Sequence, residues 1–264
     1  MMEIALGVDL TREKNMALMR TSNPALNEKA FRGLPYSMGE TMTLNGTVNK
    51  TGMLLVCTLV TAAWTWHLFL EQRDPAAVMP LMLLGMVGGL IFGMITCFKR
   101  EWAGVTAPAY ALLEGLILGG LSALFEVRYP GIAMQAVCLT FGVLFVMLFL
   151  YRSRVIRVTD RFRMGVVAAT GAVFLFYLMQ MILGFFGMRF MSVYGSGPIG
   201  IGFSLIVVGI AALNLVLDFD LIERGVAAGA PKYMEWYGAF GLMVTLIWLY
   251  IEMIRLLSKF RSRN

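Results

Sequence analysis

Seven long apolar segments alternate with short polar connections along most of this chain. They lie at 51–70, 78–98, 105–125, 131–151, 164–187, 199–222 and 239–260. A helix needs about 20 mostly apolar residues to cross roughly 30 Å of hydrocarbon, and each segment is about that long. The pattern predicts an all-α fold, a polytopic membrane protein that forms a bundle of seven transmembrane helices.

The segment before the first span has a different character. Residues 1–48 are polar and mixed in charge, and they lack the basic start and apolar run of a secretory signal peptide. We therefore expect a polar cytoplasmic tail over 1–48, which could be disordered, and a membrane domain over 49–264.

Composition supports a membrane protein and argues against a soluble one. The chain has 264 residues, of which 59% are hydrophobic and 14% are charged, whereas soluble domains are about a quarter charged. The net charge of +6 resides largely in short loops beside the apolar spans, where basic residues indicate topology and contact anionic headgroups. We expect the lipid bilayer as the main partner and no binding of nucleic acid.

Basic residues in the loops predict the orientation, because cytoplasmic loops retain Lys and Arg. The second, fourth and sixth loops hold nine such residues and the other loops hold three, which places the N-terminus in the cytoplasm. Seven spans then put the basic C-terminal segment outside, which the same rule disfavours. Either the earlier loops dominate or one span is miscounted. The basic residues of that segment are Arg255, Lys259, Arg261 and Arg263.

Small residues mark the expected helix contacts. Gly85, Gly89 and Gly93 recur at four-residue spacing in the second span, and Gly115 and Gly119 do so in the third. Stripes of this kind let two helix backbones approach closely in lipid. The alternative is that glycine is simply frequent in membrane helices.

Three acidic residues fall inside apolar spans, where a charge costs at least about 2.5–3.5 kcal/mol. They are Glu114, Asp218 and Glu252, and Asn214 lies one turn before Asp218. Structural explanations remain open, since Glu252 could form an ion pair with Arg255 one turn on and Asp218 could be reached by water.

Two further acids, Asp220 and Glu223, are expected to be solvated near the membrane interface. If Asp218 and Glu252 meet, by contrast, they cannot both ionise cheaply, and one proton is shared between them. Loss of that proton would push the helices apart and attract a hard cation such as calcium. The sequence leaves open whether the two carboxylates touch.

Three segments together carry a resemblance to a known family. They are YALLEGLILGGLS at 110–122, FSLIVVGIAALNLVLDFDLI at 203–222 and LYIEMIRLL at 249–257. In these segments the chain resembles the bacterial branch of the Bax inhibitor family, the transmembrane Bax inhibitor motif group. The resemblance extends over roughly 80–260 and implies seven helices in a bacterial inner membrane.

The resemblance also implies a function, a proton-sensitive calcium leak. The family's carboxylate pair on the sixth and seventh helices matches Asp218 and Glu252, although the family has aspartate where this chain has Glu252. Arg255 replaces an uncharged polar residue and could neutralise Glu252. The third-helix glutamate of several members matches Glu114. The family's basic latch near the end of the second helix matches Lys99 or Arg100.

We therefore predict a pH-sensitive cation leak channel whose pathway is lined by Asp218, Glu252 and Glu114. Calcium is the expected permeant ion, bound at Asp218 and Glu252, and no cofactor is expected. The alternative is a non-transporting regulator that binds another membrane protein, such as a quality-control protease. An enzyme is not expected, because the single histidine, His67, lies at a span end without a metal-binding or nucleophile motif.

Overall fold

Seven long helices make up most of the computed structural model, which describes residues 40–186 and 195–263. Within these residues each helix is long and apolar enough to cross a membrane, which confirms the predicted all-α bundle. In chain order they are α1 (Leu44–Gln72), α2 (Pro75–Phe98), α3 (Ala103–Arg128), α4 (Ile132–Arg152), α5 (Asp160–Phe185), α6 (Pro198–Ala227) and α7 (Met234–Arg261), with a short 3₁₀ turn at Arg100–Trp102 before α3.

Two helices begin clearly earlier than the hydropathy pattern predicts, by at least five residues. Helix α1 begins at Leu44 rather than at 51, and α7 begins at Met234 rather than at 239. The Thr43 side chain caps α1 by accepting a hydrogen bond from the Gly46 N–H at 3.0 Å. Polar first turns do not register in an apolar pattern, so the predicted tail boundary at 48 falls inside α1.

Helix α7 is the centre of the bundle. It packs against α1, α3, α4 and α6. In its most apolar stretch of 18 residues, 67% is buried, against 17% in the corresponding stretches of α2 and of α5. Because seven helices alternate in direction, the start of α1 and the end of α7 lie on opposite faces of the bundle. We call them the N-terminal face, where α1, α3, α5 and α7 begin, and the C-terminal face, where those helices end.

The glycine stripes are helix contacts, as the sequence predicts. A β carbon added at Gly85 would lie 2.6 Å from the Leu113 carbonyl oxygen of α3, and one at Gly119 would lie 2.2 Å from the Ala62 carbonyl oxygen of α1. No side chain fits at such distances. Across the α1–α3 contact the Thr58 hydroxyl also donates to the Ala111 carbonyl at 3.1 Å, so α3 lies closely packed between α1 and α2.

We expect Gly119→Ala to destabilise the bundle by about 1–3 kcal/mol, the usual range for overpacking, because the added methyl group meets backbone rather than a movable side chain. The thermal unfolding temperature in detergent measures the effect. Gly142→Ala on α4 is the matched control, since a β carbon there meets nothing within 4 Å. Equal unfolding temperatures for the two variants would contradict close packing of α1 on α3.

Candidate functional site

Asp218 lies at the interface of α6 and α7. Its side chain is fully buried, with 0% exposure, and the Thr245 hydroxyl of α7 donates a hydrogen bond to Asp218 Oδ2 at 2.5 Å. A carboxyl group at this depth is costly in lipid and persists where it faces the bundle interior. The residue therefore has the placement expected of a functional intramembrane acid.

Glu252, on α7, is also a buried acid, with 2% exposure. Its Oε1 accepts a hydrogen bond from the Tyr177 hydroxyl at 2.9 Å and forms an ion pair with Arg255 Nη1 at 3.1 Å. The ion pair considered from the sequence is thus present. Glu252 also lines a cavity of about 280 Å³ that lies among α3, α5, α6 and α7 near the C-terminal face.

The two acids occupy different levels of the bundle. On α7, Thr245 marks the level of Asp218, and Glu252 follows seven residues later, a rise of about 10 Å. Leu249 lies between them on the same helix face, and Leu215 lies one turn from Asp218 on α6. Both leucines have 0% exposure and belong to one apolar cluster. Each carboxylate therefore has its own partners, and this geometry does not favour the directly shared proton of the sequence hypothesis.

Asn214 is a further polar residue of α6, one turn before Asp218. Its Nδ2 donates to the Thr170 hydroxyl of α5 and to the Ile210 carbonyl, both at 2.8 Å. The side chain is buried. The hydrogen bond to Thr170 holds α5 against α6, one turn away from Asp218.

Glu114 lies apart from the α6–α7 interface. It is half-buried, and a β carbon added at Gly89 of α2 would lie 3.1 Å from its Oε1. The carboxylate therefore packs on the α2–α3 contact. The structure does not bring it together with Asp218 and Glu252 in one cluster.

The two candidate latch residues lie at the N-terminal face. The Lys99 ammonium is 4.5 Å from the centre of the Trp102 ring, and the Arg100 guanidinium is 5.7 Å from that of Tyr237. Tyr237 lies eight residues before Thr245 on α7, about 12 Å along the helix. Arg100 thus contacts α7 closer to the N-terminal face than Asp218 does.

A comparison with protein-family models matches residues 23–262 to the family described as Bax inhibitor 1 like. The chain belongs to the Bax inhibitor 1 like family. The match begins inside the polar tail, so it is longer than the 80–260 resemblance predicted from the sequence. Searches of curated proteins and of solved structures gave no match.

In this Bax inhibitor 1 like chain, Asp220 is largely buried. The sequence pattern had suggested that water would solvate it, and this expectation is wrong. Its side chain is only 14% exposed and lies between Arg163 Nη2 and Arg224 Nε, each 2.9 Å from Oδ2. Arg163 itself is buried and also contacts Asp160 at 3.5 Å. Two cations from α5 and α6 therefore neutralise the carboxylate. The expectation failed because a linear pattern does not show that Arg163 points inward.

Glu235, on the first turn of α7, is a buried acid that the sequence analysis missed. Its side chain has 0% exposure and forms an ion pair with Lys50 of α1. The Thr43 N–H and hydroxyl each donate to Glu235 Oε1 at 2.8 Å, and Lys232 Nζ lies 3.5 Å from the same oxygen. The sequence does show a base, Lys50, and an acid, Glu235, near the starts of two spans. Because 185 residues separate them, the sequence does not show that they meet.

Residues 40–43, directly before α1, are fixed to the connection between α6 and α7. Thr41 pairs with Pro231 in an antiparallel bridge, and the Met42 N–H donates to the Ala230 carbonyl at 2.7 Å. The Met42 side chain is 2% exposed and packs against Gly238. Residues 40–43, which we call the strap, therefore cover the α6–α7 interface at the N-terminal face of this family member.

Within 40–186 and 195–263, no group of three or more His, Cys, Asp or Glu side chains is close enough to hold a metal ion. The buried carboxylates are instead distributed along the bundle, at the levels of Glu235, Asp218 and Glu252.

Proposed function

We propose that this chain is a pH-sensitive cation leak pathway in a bacterial inner membrane, with calcium as its expected ion and no catalytic activity. The observation that carries the proposal is the burial of Asp218 and Glu252 on adjacent helices of a membrane-spanning bundle. Intramembrane acids of this kind usually mark ion pathways and proton relays. The loop charges support a cytoplasmic N-terminal face.

Asp218 is the proton-sensitive position in this proposal. When it is protonated it is neutral, and the hydrogen bond from Thr245 joins α6 to α7. When the pH rises and the proton leaves, a negative charge remains in the buried interior of the bundle, and that charge favours entry of water and of a cation. The leak therefore increases with rising pH.

In this proposal an apolar layer closes the pathway. Leu215 and Leu249 are fully buried between the levels of Asp218 and Glu252, so an ion cannot pass without separation of α6 from α7. Beyond the layer, Arg255 neutralises Glu252 and must move before a cation can bind there. Lys99 and Arg100 at the N-terminal face, and Glu114 in the α2–α3 contact, have secondary roles in this scheme.

Purified protein in calcium-indicator liposomes tests the proposal. We expect calcium entry that increases between pH 6 and pH 8, at least about tenfold above protein-free liposomes, because a charged acid lowers the cost of a cation at that depth. Leu249→Ala, which opens the apolar layer, raises the flux at every pH. If folded protein passes neither calcium nor monovalent cations over this range, the proposal is wrong.

The second candidate function is a regulator that binds another membrane protein, such as a quality-control protease. The observation in its favour is the polar segment that precedes the strap. A deletion of residues 1–39 is the discriminating variant, because it preserves the strap and the Thr43 cap. A leak pathway keeps its flux in this variant, whereas a tail-dependent regulator, which carries no flux of its own, loses the crosslinked partner.

A further inference from the structure

An apolar cavity of about 500 Å³ lies between α1 and α4. Both of these helices pack on α7, and the buried side chains of Leu246 and Ile247 on α7 form the floor of the cavity. Leu59 of α1 and Met134 of α4 also line it, but both are exposed. The apolar cavity therefore opens sideways, toward the lipid that surrounds a membrane-spanning bundle.

The polar groups that line the apolar cavity already have partners within the protein. The Thr58 and Thr140 hydroxyls each donate to a backbone carbonyl, at 3.0 and 2.7 Å, and the Ser122 and Tyr250 hydroxyls are hydrogen-bonded to each other. The Glu126 carboxylate accepts hydrogen bonds from two backbone N–H groups around the start of α4. Because water needs several polar partners to occupy a buried site, this lining suits an apolar occupant.

The apolar cavity is about as deep as one leaflet of the bilayer. Leu55 and Trp66 of α1 line its two ends, and a helix rises about 16 Å over the eleven residues from one to the other. Half of a hydrocarbon core of roughly 30 Å is about 15 Å. Leu55 lies near the middle of α1 and Trp66 near its end. The cavity therefore extends from the C-terminal face to the middle of the membrane.

We propose that the apolar cavity binds one acyl chain of a phospholipid from the leaflet at the C-terminal face. An acyl chain is apolar over its length, matches the depth of the cavity and can enter it between α1 and α4. An unfilled space forfeits van der Waals contacts of the side chains around it, and the chain restores them. The site is separate from the proposed leak pathway, because its described lining includes neither Asp218 nor Glu252.

Photolabelling of the purified full chain in nanodiscs tests the proposal. The probe is a phosphatidylcholine that carries a diazirine near the end of one acyl chain, and mass spectrometry of peptides locates the label. Lipid outside the bundle contacts exposed residues such as Leu59 and Met134, whereas only a chain inside the apolar cavity reaches the buried Leu246 and Ile247. We expect label on these two residues of α7.

Val137→Trp fills the apolar cavity from α4, because Val137 lines it and is half-buried. We expect the label on α7 to fall at least about fivefold, since the indole ring takes up volume that the acyl chain needs. The matched control is Val146→Trp, at an exposed position of the same helix outside the cavity, and we expect its label to change less than about twofold.

Three results would overturn the proposal. The first is label on the exposed residues alone in the unmodified protein, with none on α7. The second is an equal loss of the α7 label in Val137→Trp and Val146→Trp. The third is crosslinking of Leu59 or Met134 to a second copy of the chain in place of lipid, because a protein helix would then cover the opening.

Discussion

Lys50→Met lowers the free energy of unfolding by about 3 kcal/mol, because it leaves the Glu235 carboxylate buried without its main ionic partner. The Glu235 side chain has 0% exposure and the Lys50 side chain 17%, so water cannot replace the lost ammonium group. The donors of Thr43 remain and reduce the loss. This ion pair fixes the start of α1 to the start of α7, so the N-terminal face loosens first.

Thermal unfolding in detergent, followed by tryptophan fluorescence, measures this change. Lys50 lies 5.4 Å from the centre of the Trp236 ring, so emission from Trp236 reports on the same contact. Lys232→Met is the matched control, since Lys232 is 3.5 Å from Glu235 Oε1 and its side chain is 45% exposed, and we expect it to cost less than about 1 kcal/mol.

The double variant Lys50→Met with Glu235→Gln separates a buried-charge effect from lost packing. We expect it to recover part of the stability, because a neutral amide in place of the carboxylate needs no ionic partner. If Lys50→Met unfolds at the temperature of the unmodified protein, the ion pair does not hold the face together.

Asp218→Asn removes the pH dependence of the cation flux and lowers the flux at pH 8 by about tenfold or more. Asparagine has nearly the same shape and still accepts the hydrogen bond from Thr245, but it cannot become negatively charged. Placing a cation at this depth without a counter-charge costs at least about 2.5 kcal/mol. Calcium entry into proteoliposomes between pH 6 and pH 8 measures both effects.

Two variants serve as controls for this experiment. Thr245→Val removes the hydrogen bond to Asp218 and leaves the acid, so we expect a pH-dependent flux with a changed midpoint. Glu223→Gln removes an exposed acid at the N-terminal face and should leave the flux profile unchanged. An Asp218→Asn protein with the pH profile of the unmodified chain would exclude Asp218 as the proton-sensitive group.

Most of the fold was predictable, because lipid imposes simple requirements on the sequence. A span must be apolar and about 20 residues long, and the seven predicted spans correspond to α1 to α7. The stripes at Gly85 and Gly119 predicted helix contacts because only a missing side chain allows such close approach. The helix starts at Leu44 and Met234 were missed, since polar first turns resemble loops.

The candidate site was only partly predictable. An acid such as Asp218 or Glu252 stands out in the sequence because apolar residues surround it along the span. In the structure both residues are buried, on the helices expected. Their depth along the bundle was not predictable, because a difference of two helical turns arises from how α6 and α7 are placed against each other. For this reason the sequence hypothesis brought together two carboxylates that the structure assigns to separate partners.

The sequence by itself determined the membrane environment, the number of spans, the helix contact lines and the identity of two buried acids, because each depends on composition or on spacing along one helix. Only the tertiary structure decided which charges meet. Distant segments are joined by the ion pair of Lys50 with Glu235 and by the contact of the buried Arg163 with Asp220. Such contacts depend on helix rotation and depth, which a linear pattern does not contain.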